Sequence, residues 1–568
     1  MDDSRSGQHA AFSRRRALQA AGLAAATLAT VGFNQTSTAA QEATPAADAL
    51  PDLTGVTPLP LTGERLATFE SYIAAQIAEL NVPGIAVGVV QGDEVAFLQG
   101  FGVRELGRPE PVTADTLLRI GSVTKSFSSL LSATLVDARL LTWDTPLIDL
   151  LPAFAVEDAE LTPKLTVGDA FCACSGLPRR DFEFILPANA LTPERMIASM
   201  TTLPLTAPFG EKYQYNNQLV AAGGFAAAVA DGGSPDALGH AYAIALRDRV
   251  LNPIGMPRTT YNLGEVVADG DYAAPHAVDL FGELHPVPLL MDDTWLVSVA
   301  PSGALWSSAG EMVRYVQTEL RHGLAPDGGR VVSSENLEHT WQPGVALPAA
   351  PGTPAAMAAF AQHYGKGWVV GAYGGQRAIW HSGGTLGFSA LVTFLPESEL
   401  GVVVLTNGSG NAGQLIYAVV FRLLELLFDQ PATMDAVVEA NLARVASGRE
   451  ELLATLGQID PAAVTPFVGQ YANPDLGEMA LQLRAGTLTF VSGPYRSAML
   501  PQLAEDGTVS DYLLVDPPLS GFPPQMTFSF ETDSAGQPQV ILTAPADAGD
   551  PDLVYVYEPV AALATPAP

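Results

Sequence analysis

Basic side chains are scarce in this chain. Of 568 residues, 28 are Lys or Arg against 60 Asp or Glu, a formal charge of −32 at pH 7. Such a surface repels nucleic-acid phosphates and anionic headgroups, which argues against DNA, RNA and membrane surfaces as partners. Lysine occurs only at Lys125, Lys164, Lys212 and Lys366. Cysteine occurs only at Cys172 and Cys174. A single intervening residue places their Cβ atoms poorly for a bridge, so they read as two small buried thiols. A lone C-x-C also lacks the ligands of a structural zinc site. The chain has no G-x-S-x-G elbow and no H-E-x-x-H pair, which disfavours an α/β-hydrolase and a zinc protease. No metal or cofactor is expected.

What is present is globular. Hydrophobic residues make up 48% and charged residues 15%, with a mean hydropathy of +0.20. The length exceeds what one core supports and points to two or three folding units. Residues 1–40 read as a signal of the twin-arginine type: Ser13-Arg14-Arg15-Arg16-Ala17-Leu18-Gln19, an apolar stretch from Ala20 to Phe33, then Thr38-Ala39-Ala40 as a cleavage site. The apolar stretch is shorter than the roughly 20 residues a spanning helix needs. Export without stable membrane insertion is therefore expected, to the periplasm, the cell wall or the medium. Residues 41–61 are rich in Pro, Ala and Thr and read as a linker.

From Thr62 the pattern gives a helix (Leu66, Phe69, Ile73, Ile77), then a buried strand at Ile85–Val90 and a hairpin partner at Val95–Leu98. Strands return near residue 367, and a helix at Gln414–Phe428 closes the unit. Strands at both ends with helices between them predict an α+β domain over 62–430: an antiparallel sheet flanked by helices, plus a helical subdomain. Residues 431–460 read as a helical linker. Alternation at Met479, Leu481 and Leu483, again at Met526, Phe528 and Phe530, and again around Val554 and Val556 predicts a small antiparallel β domain over 461–560, a barrel or a sandwich.

Three motifs carry chemistry. In Gly121-Ser122-Val123-Thr124-Lys125 the serine and lysine are three residues apart at a predicted helix start, so they share a face. A serine hydroxyl needs a neighbouring base, and a lysine amine serves only when burial or a nearby cation keeps it neutral. Lys125 alone among the four lysines has serine three residues before it, and Phe127, Leu130, Leu131 and Leu135 supply an apolar helix behind it. The bland reading is a solvated Ser and Lys on a surface helix. Tyr213-Gln214-Tyr215-Asn216-Asn217 offers a hydroxyl for proton relay and an amide for a carbonyl, but Y-x-N recurs at Tyr471-Ala472-Asn473. Trp380-His381-Ser382-Gly383-Gly384 ends a predicted strand in a glycine turn that admits a ligand close to the backbone.

In this order the three motifs resemble the β-lactamase-related serine hydrolases, whose mark is S-x-x-K, then Y-x-N, then K-T-G or H-x-G. That family includes class C β-lactamases, D-alanyl-D-alanine carboxypeptidases, D-aminopeptidases and β-lactamase-fold esterases. The resemblance spans about Thr62 to Phe428 and includes Ser175-Gly176-Leu177-Pro178 and Gly303-Ala304-Leu305-Trp306-Ser307-Ser308. It implies a penicillin-binding-protein-like fold and a hydrolase working through an acyl-enzyme. Ser122 would be the nucleophile, Lys125 the base and Tyr215 the relay. Asn217 would orient substrate. His381 stands where other members carry lysine, with Gly383 completing H-x-G and the N–H groups of Ser122 and Gly384 forming the oxyanion hole. The implied substrate is a small molecule or peptide, with an amide of D-amino-acid peptides preferred. Alternatives are an esterase, a β-lactamase, or a penicillin sensor that acylates and stalls. The oligomeric state is left open.

Overall fold

The computed structural model describes residues 50–187, 191–349, 353–521, 526–546 and 550–560. The expected export segment, 1–40, and residues 41–49 lie outside the described residues. Residues 50–61 are held against the domain that follows: Leu53 and Leu61 are buried, and Leu53 exchanges backbone contact with Gly374, Leu59 with Leu427.

The N-terminal domain is built on an antiparallel sheet. Its principal strands are β1 (Gly84–Gln91), β2 (Glu94–Gly102), β3 (Val369–Tyr373), β4 (Gln376–Gly384), β5 (Ser389–Leu395) and β6 (Leu400–Thr406). Their spatial order is β2–β1–β6–β5–β4–β3, extended past β3 by two short strands at His363–Tyr364 and Val345–Ala346. The first hairpin and the last four strands thus meet at the β1–β6 pair, where Ile85 faces Thr406 and Gln91 faces Leu400.

Both faces of this sheet are covered, so its central strands read as apolar runs rather than as alternation. Ile85, Val87 and Val89 of β1 pack with Phe69 and Ile73 of α1 (Gly63–Glu79), and with Leu415 and Val419 of a C-terminal helix, Asn411–Leu427. Ala86 and Val90 face the other way, toward the core that includes Met312, Val313 and Val316 of the helix Ala309–Leu320 and the buried face of α2 (Thr124–Asp137). The helical subdomain on that side includes α3 (Asn217–Ala230), and α2 packs against it.

The helix Met434–Ala454 links this unit to the C-terminal domain. There, eight strands from Gly469–Asn473 to Leu553–Pro559 form a closed barrel. The first and last pair at Tyr471–Pro559, which leaves no free edge. Closure decides between the barrel and sandwich expectations. Met479, Leu481, Phe490, Phe528 and Val540 fill it. In the last strand Tyr555 and Tyr557 point inward, while Val554 and Val556 face solvent. The broad interior takes the larger rings, which hydropathy alone does not foretell.

The expectation of free thiols is overturned. Cys172 and Cys174 form a disulfide with Cα atoms 5.2 Å apart. The intervening Ala173 has φ 50°. In an extended chain, residues two apart stand about 6.6 Å from each other. The left-handed residue folds the chain back and brings the Cα atoms within bridging range.

Candidate active site

Ser122 lies in a single 3-10 turn, Gly121–Val123, immediately before α2. Two contacts hold this turn to the segment after Ser302. The Ile120 N–H donates to the Leu305 carbonyl at 2.9 Å, and the Leu305 N–H donates to the Thr124 hydroxyl at 3.2 Å. Its other side presses on the end of β4. Gly121 has φ 51°, and a methyl group there would stand 2.6 Å from the Gly384 nitrogen. A methyl on Gly383 would meet the Ile120 carbonyl oxygen at 1.9 Å and the Ser122 nitrogen at 2.9 Å. Glycine is needed at both positions so that the Ser122 and Gly384 backbones can approach.

Lys125 is fully buried. Its Nζ lies 3.0 Å from Ser122 Oγ, 2.7 Å from Asn217 Oδ1 and 2.7 Å from the Ser302 carbonyl oxygen. Burial holds the amine well below the ordinary lysine range; the Arg179 cation pushes it the same way, and Asp181 opposes. A neutral amine has two N–H bonds and one lone pair. Asn217 Oδ1 and the Ser302 carbonyl can only accept, so they take the two N–H bonds. The lone pair then remains for the Ser122 hydroxyl.

Asn216 and Asn217 divide the labour at the start of α3. Asn216 caps the helix, accepting from the Leu219 N–H at 2.7 Å, and ties it to the Pro178 carbonyl at 2.8 Å. Asn217, the first helical residue, faces Lys125. Its Nδ2 donates to Asp181 Oδ1 at 2.9 Å, which fixes the amide so that Oδ1 meets the amine. Expected as a substrate-orienting residue, Asn217 has both ends of its amide engaged by protein groups. The Tyr215 ring lies 4.6 Å from Lys125 Nζ, with its centroid 6.4 Å from that of His381. The Gln214 N–H just before it is bonded to the Ala173 carbonyl at 2.8 Å, so the disulfide-closed turn anchors this segment.

His381 lines the same pocket, with 1% of its surface exposed. Its Nδ1 lies 2.5 Å from the Ser382 carbonyl and its Nε2 2.9 Å from the Tyr364 hydroxyl. A carbonyl only accepts, so Nδ1 carries the proton and Nε2 accepts from Tyr364. Burial, with Lys125 beside it, pushes the ring down to about 3. His381 is therefore neutral, and neither nitrogen is left for a ligand. Its expected place in substrate binding reduces to a wall of the pocket.

The pocket occupies about 910 Å³, open mouth included. Ser122, Tyr215, Asn217, His381 and Gly384 all line it, so the structure gathers three distant motifs at one place. Gly383 lies beneath, against Ile120. Trp295, Leu296, Val299, Leu386 and Phe388 make much of the wall apolar. Pro518 and Gly521 reach in from the C-terminal barrel. Their loop is tied to the hydrolase-like domain through Leu280 N–H to the Val515 carbonyl at 3.0 Å and Ser520 Oγ to the Val278 carbonyl at 3.3 Å. Among the described residues, no group of three or more His, Cys, Asp or Glu could hold a metal ion, and no helix is long and apolar enough to cross a membrane.

The family profile described as Beta-lactamase matches residues 69–425, more than half of the chain. The chain belongs to the beta-lactamase family. It is 29% identical over 342 residues to penicillin-binding protein 4 of Amycolatopsis lactamdurans, covering 60% of this chain and 85% of that protein. It is 25% identical over 373 residues to an unguisins hydrolase of Aspergillus campestris, covering 64% of this chain and 65% of that protein. Among solved structures it resembles the octameric penicillin-binding protein homologue from Pyrococcus abyssi, with a TM-score of 0.54, 22% identity, and coverage of 87% of this chain and 100% of that one.

Within this beta-lactamase-family site, sequence reasoning missed Arg179, Asp181, Tyr364 and the Ser302 carbonyl. Arg179-Arg180-Asp181 directly follows the Ser175–Pro178 segment, and a charged triplet in a chain only 15% charged was the available signal. The Ser302 contact comes from the backbone and leaves no mark on residue type.

Proposed function

We propose that this chain is a serine hydrolase that cleaves an amide or ester through an acyl-enzyme on Ser122, with peptides or amides of D-amino acids as the preferred substrates. The observation that carries the reading is the buried Lys125 amine, 3.0 Å from Ser122 Oγ, with both its N–H bonds directed to carbonyl acceptors. The lone pair takes the Ser122 proton as Oγ bonds to the substrate carbonyl carbon. The carbonyl π pair moves to oxygen, where the N–H groups of Ser122 and Gly384 would receive it. One such donor is worth roughly 3–4 kcal/mol in comparable sites. Collapse expels the leaving group with a proton from Lys125, directly or through Tyr215. Water, deprotonated by the same amine, then releases the acyl group and restores Ser122. The names of two relatives, a penicillin-binding protein and an unguisins hydrolase, support the acyl-enzyme hydrolase reading. The Ser13–Gln19 and Thr38–Ala40 pattern supports an exported enzyme.

The test is hydrolysis of p-nitrophenyl esters and D-amino-acid amides by wild type and Ser122→Ala, with acylation followed by intact mass. Turnover by wild type and a loss on the order of a thousandfold or more in Ser122→Ala is expected. Undiminished activity without Ser122 would remove the proposal, and acylation that never turns over would make the chain a sensor.

A further inference from the structure

Resting on the hydrolase reading above, we infer that the site selects acyl donors with no carboxylate beside the scissile bond: esters, carboxamides and internal or amino-terminal peptide bonds, rather than carboxy-terminal peptides or β-lactams. The geometry is that of a charge-cancelled pocket. A substrate carboxylate needs a cation not already neutralised. Among the described residues lining the pocket, the one permanently cationic side chain is Arg179. Its Nε is 2.7 Å from Asp181 Oδ2, and both side chains are largely buried. Asp181 lines the pocket too, so a carboxylate approaching Arg179 also meets an anion of its own sign.

The other two positions that could supply positive charge do not. Lys125 is spent on Ser122, Asn217 and the Ser302 carbonyl. His381 stands at the strand position expected to face the substrate, and both of its nitrogens are satisfied by Ser382 and Tyr364; its depressed basicity keeps it uncharged. The next cation inward, Arg119, is closed off by Asp292 at 3.0 Å and Asp293 at 2.5 Å. The segments 188–190, 350–352, 522–525 and 547–549 contain neither Lys nor Arg. The remaining wall sets the apolar Trp295, Leu296, Leu386 and Phe388 beside the hydroxyl residues Thr385 and Ser409 and adds no further cation, which suits an uncharged group.

The test uses the full chain and two thioesters with one acyl group. In one, the leaving thiol bears a carboxylate on the carbon next to sulfur; in the other that carboxylate is a methyl ester. An uncharged fluorophosphonate probe reports separately whether Ser122 is reactive. The inference expects Ser122 to be labelled and the neutral thioester to be cleaved with a kcat/KM about tenfold or more above its anionic partner. It also expects Asp181→Asn, which leaves Arg179 uncompensated, to narrow that ratio whatever it does to the absolute rate. Labelling of Ser122 with the anionic thioester cleaved equally well or better overturns this inference and leaves the hydrolase reading standing. An unlabelled Ser122 with neither thioester consumed overturns the hydrolase reading itself.

Discussion

Lys125 and its neighbours set the behaviour of the site residue by residue. Its amine must be neutral to accept the Ser122 proton, so activity rises with pH through the folded-state titration of Lys125. Two nearby charges act on that titration in opposite senses: Arg179 depresses it and Asp181 elevates it. Removing Arg179 as Arg179→Met returns the lysine toward its ordinary range and moves the ascending limb of kcat/KM to higher pH. Asp181→Asn moves the same limb to lower pH. A pH–rate profile of the two variants checks both signs. A pair of residues that only braced the loop would lower the rate without moving the limb in opposite directions.

At the scale of elements, α2 is braced from behind by the helix Ala309–Leu320. Tyr315 of that helix donates to Ser126 Oγ at 2.8 Å, one residue beyond Lys125. Trp341 Nε1 donates to Glu319 Oε2 at 3.0 Å. Glu319 is fully buried, and burial raises its carboxyl to about 8. Its ordinary value is 4.5, so the unfolded chain releases this proton first as pH rises. The native state then holds more protons than the unfolded state between those values, and the stability from Glu319 falls across that window. Glu319→Gln keeps the shape and removes the titration. Thermal unfolding of the two proteins from pH 5 to pH 8 is expected to show wild type losing Tm relative to the variant as pH rises. Parallel curves would assign the pH response to other groups.

At the scale of the molecule, the barrel belongs to the site. Besides its loop at Pro518 and Gly521, it is bound by Lys212 to Asp550 at 2.7 Å and by the Tyr555 hydroxyl to Glu183 at 3.2 Å. A methyl on Gly521 would stand 2.6 Å from the Val278 carbonyl oxygen. Gly521→Val therefore pushes this loop off its seat without touching Ser122 or Lys125. Steady-state kinetics are expected to show KM rising several-fold with kcat nearly unchanged, since a wall contributes binding common to ground and transition states. A fall in kcat at constant KM would mean that the loop acts on the reacting groups.

Much of this was legible in the residues. The S-x-x-K spacing put Ser122 and Lys125 on one face because one helical turn is a local property. The apolar run in β1 announced a strand covered on both sides, and the alternation after residue 461 announced a separate β domain. The identity of the three motifs fixed the family, because their chemistry is written in residue types. The tertiary structure alone decided what depends on distant neighbours. It turned Asn217 toward Lys125 through Asp181, silenced His381 through Tyr364, and set Arg179 against Asp181. The bridge between Cys172 and Cys174 required the left-handed backbone of Ala173. Barrel closure, which pairs Tyr471 with Pro559, and the reach of Pro518 into the pocket beside Ser122 required contacts between residues far apart in the chain, for which composition and periodicity carry no signal.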